Sequence, residues 1–281
     1  LTVILAVNAD KHSGSRLGLC PPYFEFTDGG MYRANKGQLW AWERWLGYWD
    51  YVAALKESLL AVDPSTEVWS IDNGDAQERG KHASHQYITS NKTDVERLAV
   101  RVNEPTAPVV DKYWFSRGTG AHDGKSGWMA EWLAEDLGGE RPDDKAWSWW
   151  YIPMEIEGIL IDFYHRPPTS GRMPWTENAA ASRASAIIRT RCVEIGDPVP
   201  DLCVFSHFHY YADSGRAKYP RVLYTPSWAL PSDWIHDIGK GVYPPRIGGL
   251  IFVITEGTYK LDDSQLFRPK RTPRWSLQSR N

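Results

Sequence analysis

The sequence predicts an α/β fold: a layered sandwich of two mixed β-sheets flanked by helices, in a single domain. Three observations lead there. Apolar runs of strand length alternate early in the chain with segments whose apolar residues recur at helical spacing. Short strands then dominate the later half, a mixture that suits sheets containing both strand senses. Neither an internal repeat nor a linker long enough to split 281 residues is visible, and a chain of that length can bury a sizeable core.

Taken in order, residues 2–8 read as a buried strand that opens into Asp10-Lys11-His12-Ser13-Gly14. Residues 17–36, rich in Gly, Pro and aromatics without a period, read as a long loop. From about Gln38 to Leu60, Leu39, Trp42, Trp45, Leu46, Trp49, Val52, Ala53 and Leu59 follow a helical period, and Asp63-Pro64 stops it. Glu67 to Ile71 is a second strand running into Asn73-Gly74-Asp75. Asn91 or Thr93 can cap a helix reaching about Val102. Lys112 to Phe115 is a third strand, followed by Arg117-Gly118-Thr119-Gly120-Ala121-His122-Asp123 and a helix over about 126–137. Trp149 to Ile152 and Gly158 to Tyr164 read as a hairpin around Met154-Glu155-Ile156-Glu157, ending at His165-Arg166. An Ala-rich helix over 177–195 precedes the strand Asp201 to Phe205 and then His207-Phe208-His209. Strands at 221–224 and 250–255 flank a segment, 226–249, that reads as irregular. The domain is expected to span 1–265, leaving 266–281 as a basic C-terminal tail around Phe267-Arg268-Pro269-Lys270-Arg271.

A net charge of -3 gives no bulk signal for nucleic acid or an anionic membrane surface. No run approaches the ~18 apolar residues that span a bilayer, so no membrane partner is expected. Cys20, Cys192 and Cys203 are odd in number and widely spaced, which is neither a disulfide framework nor a zinc-finger pattern. Reduced thiols of this kind fit a cytoplasmic setting. Fifteen tryptophans is a high count, with clusters at Trp40, Trp42, Trp45 and Trp49 and at Trp147, Trp149 and Trp150. Core packing is the plain reading of both clusters, and an aromatic wall for a substrate is the sharper one.

The chemistry lies where the strands stop. Five apolar runs each end at His or Asp: Asp10/His12, Asp75, His122/Asp123, His165 and His207/His209. One histidine after a strand is more often structural than not; five such coincidences are harder to dismiss. Imidazole and carboxylate without thiolate suit Mn, Fe, Zn, Co or Ni better than Ca or Mg. The set is too large for one tetrahedral ion, and two ions sharing a carboxylate account for it better.

The ordered series Asp-x-His, Gly-Asp, Gly-…-His-Asp, His and His-x-His resembles the calcineurin-like metallophosphoesterase superfamily. The run from Asp10 to Pro22 and the Gly-Thr-x-x-His form of the third motif are similar to phage and bacterial members. The resemblance implies a dinuclear, metal-dependent phosphoesterase. Asp10, His12 and His209 would hold one divalent ion, Asp75 would bridge, and His165 and His207 would hold the second. His122 would act on the leaving oxygen, with Asp123 orienting its ring.

The superfamily usually has Asn before that His, its amide on the second metal; here Gly118-Thr119-Gly120-Ala121 precedes His122, so Thr119, a water or His85 is the candidate for that second-metal position. Asn73 could bind phosphate or only shape its turn. Lys11, Arg16, Lys81, Arg117 and Arg166 flank ligand positions, where cations would favour an anionic substrate, and Arg117 and Arg166 are the candidate substrate contacts. His82 and His85 are candidate outer partners or surface residues. A diester substrate, a nucleotide or nucleic acid, fits the retained His122. The alternatives are a phosphomonoesterase of the same fold, or a non-catalytic protein-binding scaffold with a degenerate metal site.

Overall fold

The structure is a computed structural model that describes residues 1–78, 86–171, 176–232 and 245–269. Two five-stranded mixed sheets form its centre. The first contains β1 (Val3–Asn8), β4 (Glu67–Asp72) and β5 (Lys112–Phe115), all parallel, with β12 (Leu250–Thr255) antiparallel to β1 and β13 (Thr258–Asp262) antiparallel to β12. Its order is β13-β12-β1-β4-β5. The second runs β6-β7-β8-β10-β9. Its parallel centre is β7 (Ile159–Tyr164), β8 (Leu202–Phe205) and β10 (Arg221–Tyr224), with β6 (Ile152–Ile156) and β9 (Ala212–Asp213) antiparallel at the edges.

The sheets face each other across one apolar layer. Val3, Leu5, Val7, Ile71, Phe252 and Ile254 of the first meet Ile161, Phe163, Val204 and Leu223 of the second. Side chains of alternate residues point the other way, under the helices. Ile4 and Ala6 lie beneath α1 (Lys36–Leu60) and α2 (Lys92–Asn103), while Cys203, Phe205, Val222 and Tyr224 lie beneath α4 (Glu177–Ile195). The order of layers is helix, sheet, sheet, helix, as expected. It explains why all six residues of β1 are buried: each of its faces has a cover.

The helices follow their sequence signals with small shifts. α1 begins at Lys36, two residues before the expected start, because Asn35 and Gln38 form a capping box: the Asn35 side chain accepts the Gln38 N–H at 3.0 Å and Gln38 Oε1 accepts the Asn35 N–H at 3.1 Å. Asn91 caps α2, accepting the Thr93 N–H at 3.1 Å. α3 (Trp128–Asp136) starts late, since Ser126 and Gly127 take positive φ and leave a single 3-10 turn before it.

Several strands were not legible. The expected loop 17–36 contains the hairpin β2 (Tyr23–Glu25) and β3 (Met31–Arg33). The segment 226–249, expected to be irregular, contains β11 (Ile247–Gly248), which pairs with β14 (Leu266–Phe267). The hairpin of β6 and β7 turns at Glu157-Gly158 rather than over 154–157: both residues have positive φ, which a two-residue turn between right-twisted strands requires. Lys81, His82, His85 and residues 270–281 of the expected tail lie outside the described residues.

Candidate metal centre

The parallel strands of both sheets deliver their C-terminal ends to one place, and backbone hydrogen bonds join those ends. Asp10 N–H reaches Gly74 O at 2.9 Å, and His12 N–H reaches Asp75 O at 3.1 Å, so the loops after β1 and β4 are zipped together. The two sheets are latched by Asn73, which is fully buried. Its side-chain amide donates to Tyr164 O at 3.0 Å and to Ser206 Oγ at 2.8 Å, and its backbone carbonyl accepts from His165 Nδ1 at 2.7 Å. His207 N–H donates to Asp10 Oδ2 at 3.1 Å, a bond between residues of the two sheets' loops.

This assembly brings six of the expected ligands into two groups, Asp10-His12-His209 and Asp75-His165-His207, each with ligand atoms within 4.8 Å of one another. In the first, His12 Nε2 and His209 Nε2 approach to 3.2 Å, and His209 Nε2 is 3.3 Å from Asp10 Oδ1. In the second, His165 Nε2 is 3.0 Å from Asp75 Oδ2. Atoms that share a metal at ~2.0–2.2 Å stand about this far apart, and the donor set is imidazole with carboxylate. The residues present therefore fit two divalent cations. Asp10, His12, Asp75, His207 and His209 all adopt positive φ, a strained backbone that turns their side chains inward.

Electrostatics follow from this crowding. Burial raises the Asp10 and Asp75 carboxyls, but His209 outweighs it for Asp10 and His165 for Asp75, holding both below the usual range. Burial opposes charge on His165, yet Asp75 and Asp10 lift it to about 10. Burial and the charge of His165 drop His207 to about 4. Burial and neighbouring His122 also lower His12.

Other expected residues occupy different places. Thr119 sits on Asp75: its N–H donates to Oδ1 at 2.6 Å and its hydroxyl lies 3.1 Å from the same atom. His122 stands edge-on to His12, with ring centroids 4.4 Å apart. The carboxylate at its Nδ1 is Glu78, at 3.1 Å, and not Asp123 as expected. Asp123 is buried, held above its ordinary pKa by burial and by Asp75, and accepts the Gly118 N–H at 2.6 Å; it ties down the loop that carries Thr119. Glu78 also lies 3.3 Å from His12 Nδ1, so one carboxylate joins a metal-ligand candidate to the candidate acid. Burial raises the Glu78 carboxyl, but both histidines outweigh it and lower it, and Glu78 in turn lifts His122 to about 9 against burial. Nothing in the sequence pattern marked Glu78 beyond its standing three residues after Asp75.

The cations expected to face a substrate divide. Lys11 is buried, 2.7 Å from Asp72 Oδ2 and 2.7 Å from Asn103 Oδ1. Arg117 is held by Glu131 and by Ser148 Oγ at 2.8 Å, so its guanidinium is committed to the protein. Asn73, with its amide spent on the latch, shapes the strand end and is not a phosphate contact. Arg166 is exposed beside His165.

The sequence matches no protein-family model, and comparison with curated proteins finds no match. Among solved structures, it aligns with wild-type Vps29 complexed with Zn2+ from Entamoeba histolytica at 11% identity, covering 92% of this chain and 97% of that one, with a TM-score of 0.37. It also aligns with the hypothetical protein PH1004 from Pyrococcus horikoshii OT3 at 12% identity, covering 96% and 89%, with a TM-score of 0.39. Facing mixed sheets with aspartate and histidine gathered at their strand ends are the layered architecture and the ligand placement that the sequence predicts. No helix of the described residues is long and apolar enough to cross a membrane.

Proposed function

We propose that the chain is a dinuclear metal-dependent phosphoesterase, acting on phosphodiesters such as nucleotides or nucleic acid. The observation that carries this reading is the pair of Asp/His triplets at adjoining strand ends, with the His122–Glu78 pair against one of them. Asp10, His12 and His209 would hold one ion and Asp75, His165 and His207 the other, with Asp75 shared. Mn, Fe, Zn, Ni and Co all suit these donors. Such ions, when bound, neutralise charge on phosphoryl oxygens and make water acidic enough to be a nucleophile near neutral pH.

The protein's own groups have separate tasks. Glu78 accepts from His122 Nδ1, which fixes the ring and assigns Nε2 to the leaving oxygen. Thr119 holds Asp75 through its N–H and hydroxyl, rather than offering that hydroxyl to the second metal as the resemblance led us to expect. Asp123 holds that loop through Gly118. Protonation by His122 matters most for a poor leaving group, such as the alkoxide of a nucleoside, the group that leaves when a nucleotide or nucleic-acid diester is cleaved.

The test is hydrolysis of bis-p-nitrophenyl phosphate and p-nitrophenyl phosphate by metal-stripped protein refilled with Mn2+, Ni2+, Zn2+ or Mg2+, alongside His122→Ala. Metal-restored activity that is faster on the diester supports the reading, with a larger loss in the variant on a dinucleotide, whose alkoxide needs protonation, than on these nitrophenyl esters. Preference for the monoester moves it to a phosphatase. Two bound ions with no activity on either ester overturns it in favour of a binding scaffold.

A further inference from the structure

The aromatic cluster at 147–150 is not spent on the core alone. Trp147 and Trp149 are half-buried, but Trp150 is 62% exposed, an unusual state for so large an apolar ring. Its backbone is not loose. Trp149 N–H donates to Phe115 O at 2.8 Å and Trp149 O accepts from Arg117 N at 2.7 Å, so this segment extends the edge of the first sheet past the end of β5. Two residues after Arg117 comes Thr119, on Asp75. On the other side, Tyr151 stacks on Tyr164 at 4.4 Å, and Tyr164 precedes the metal-ligand candidate His165. Residues 149–151 therefore run along the rim between two of the strand ends that build the metal centre. Chain geometry limits Trp150 to at most about 20 Å from Asp75.

Arg117 completes the arrangement. Its guanidinium lies 4.9 Å from the Trp150 ring centroid and is itself held by Glu131 and Ser148. A cation fixed on one face of an indole orients the ring and leaves the opposite face to solvent. A centre for phosphodiesters with an anchored, open indole on its rim matches a substrate that carries both a phosphate and planar rings.

We infer that Trp150 is a stacking platform for an unpaired nucleobase, and that the substrate class is single-stranded nucleic acid. This deepens the phosphodiesterase reading and rests on it for the cleavage step. An unpaired strand is required because bases in a duplex do not offer their faces. With a net charge of -3, the chain offers little bulk attraction to a polyanion, which leaves stacking as a main source of affinity.

The experiment compares binding of a fluorescent oligothymidylate and an abasic strand of equal length by anisotropy, on metal-stripped protein and again after refilling with Mn2+. Wild type is expected to prefer the base-bearing strand about ten- to hundred-fold. Trp150→Ala is expected to bind both strands alike, and Trp150→Phe to recover most of the preference. Equal binding of the two strands by wild type, or an unchanged preference in Trp150→Ala, overturns the inference. The phosphoesterase reading is judged separately by cleavage. A Trp150-dependent base preference without cleavage of any diester leaves the platform standing and removes the proposed activity.

Discussion

Gly118→Ala is the substitution whose effect can be worked furthest from the structure. A methyl group at residue 118 would lie 2.2 Å from Asp75 Oδ1, 2.3 Å from the Asp75 backbone N and 2.7 Å from Asp123 Oδ2. Ordinary contacts begin at 3.4 Å, so the gap to Asp75 must open by about 1 Å. Asp75 cannot yield easily: its backbone O accepts the His12 N–H, and its carboxylate meets His165. The loop that carries Thr119, His122 and Asp123 must move instead. Overpacking of this kind costs about 1–3 kcal/mol. A misplacement of about 1 Å at a reacting centre costs on the order of 100-fold in rate. The variant is therefore expected to stay folded, with a modest loss by urea denaturation, and to lose on the order of 100-fold in kcat on bis-p-nitrophenyl phosphate. Metal counting is expected to find the Asp10-His12-His209 ion retained. A variant with kcat within about two-fold of wild type would refute both the close approach of Gly118 to Asp75 and the role given to this loop.

Glu78→Gln removes the charge that joins His12 to His122 and is expected to lower activity about 10- to 100-fold with the fold intact; steady-state kinetics with a thermal melt checks this. Stripping metal with a chelator is expected to lower the melting temperature, since an ion at about 100 times its Kd contributes about 2.7 kcal/mol; refilling with Mn2+ or Zn2+ should restore it, and an unchanged melt would count against a metal centre. Asp213 accepts two bonds from Arg221, at 3.0 and 2.6 Å, and these outweigh burial to hold its carboxyl below the ordinary value. A depressed carboxylate stabilises the fold above its unfolded pKa and loses that contribution as pH falls through the folded value. Asp213→Asn should thus melt lower than wild type near pH 7 and converge with it below about pH 4.

Individual residues show how far sequence reading reaches. The apolar runs that became β1 and β8 were legible because burial on both faces leaves a continuous hydrophobic stretch, and β4, β5 and β7 because short runs rich in aromatic and β-branched residues are bounded by loop signals. The ligand candidates were legible because each stands where such a run stops. Lys11 and Asp72 were not, because nothing local distinguishes a buried ion pair from solvated charge: Lys11 is paired only once β4 lies against β1 and Asn103 comes over it. The hairpin of β2 and β3 was missed because its strands are three residues each and largely exposed, with no apolar alternation to read.

By itself, then, the sequence determined the fold class, the order of its main strands and helices, and the Asp and His residues at the strand ends, since period and interruption are properties of neighbouring residues. Tertiary structure alone decided what those ends do to each other. It spent Asn73 on a latch between sheets, gave His122 to Glu78 instead of Asp123, withdrew Lys11 and Arg117 into ion pairs, and left Trp150 exposed on the rim. Each outcome depends on pairing between segments far apart in the chain, where which group meets which carboxylate is set by how the two sheets and their connecting loops pack.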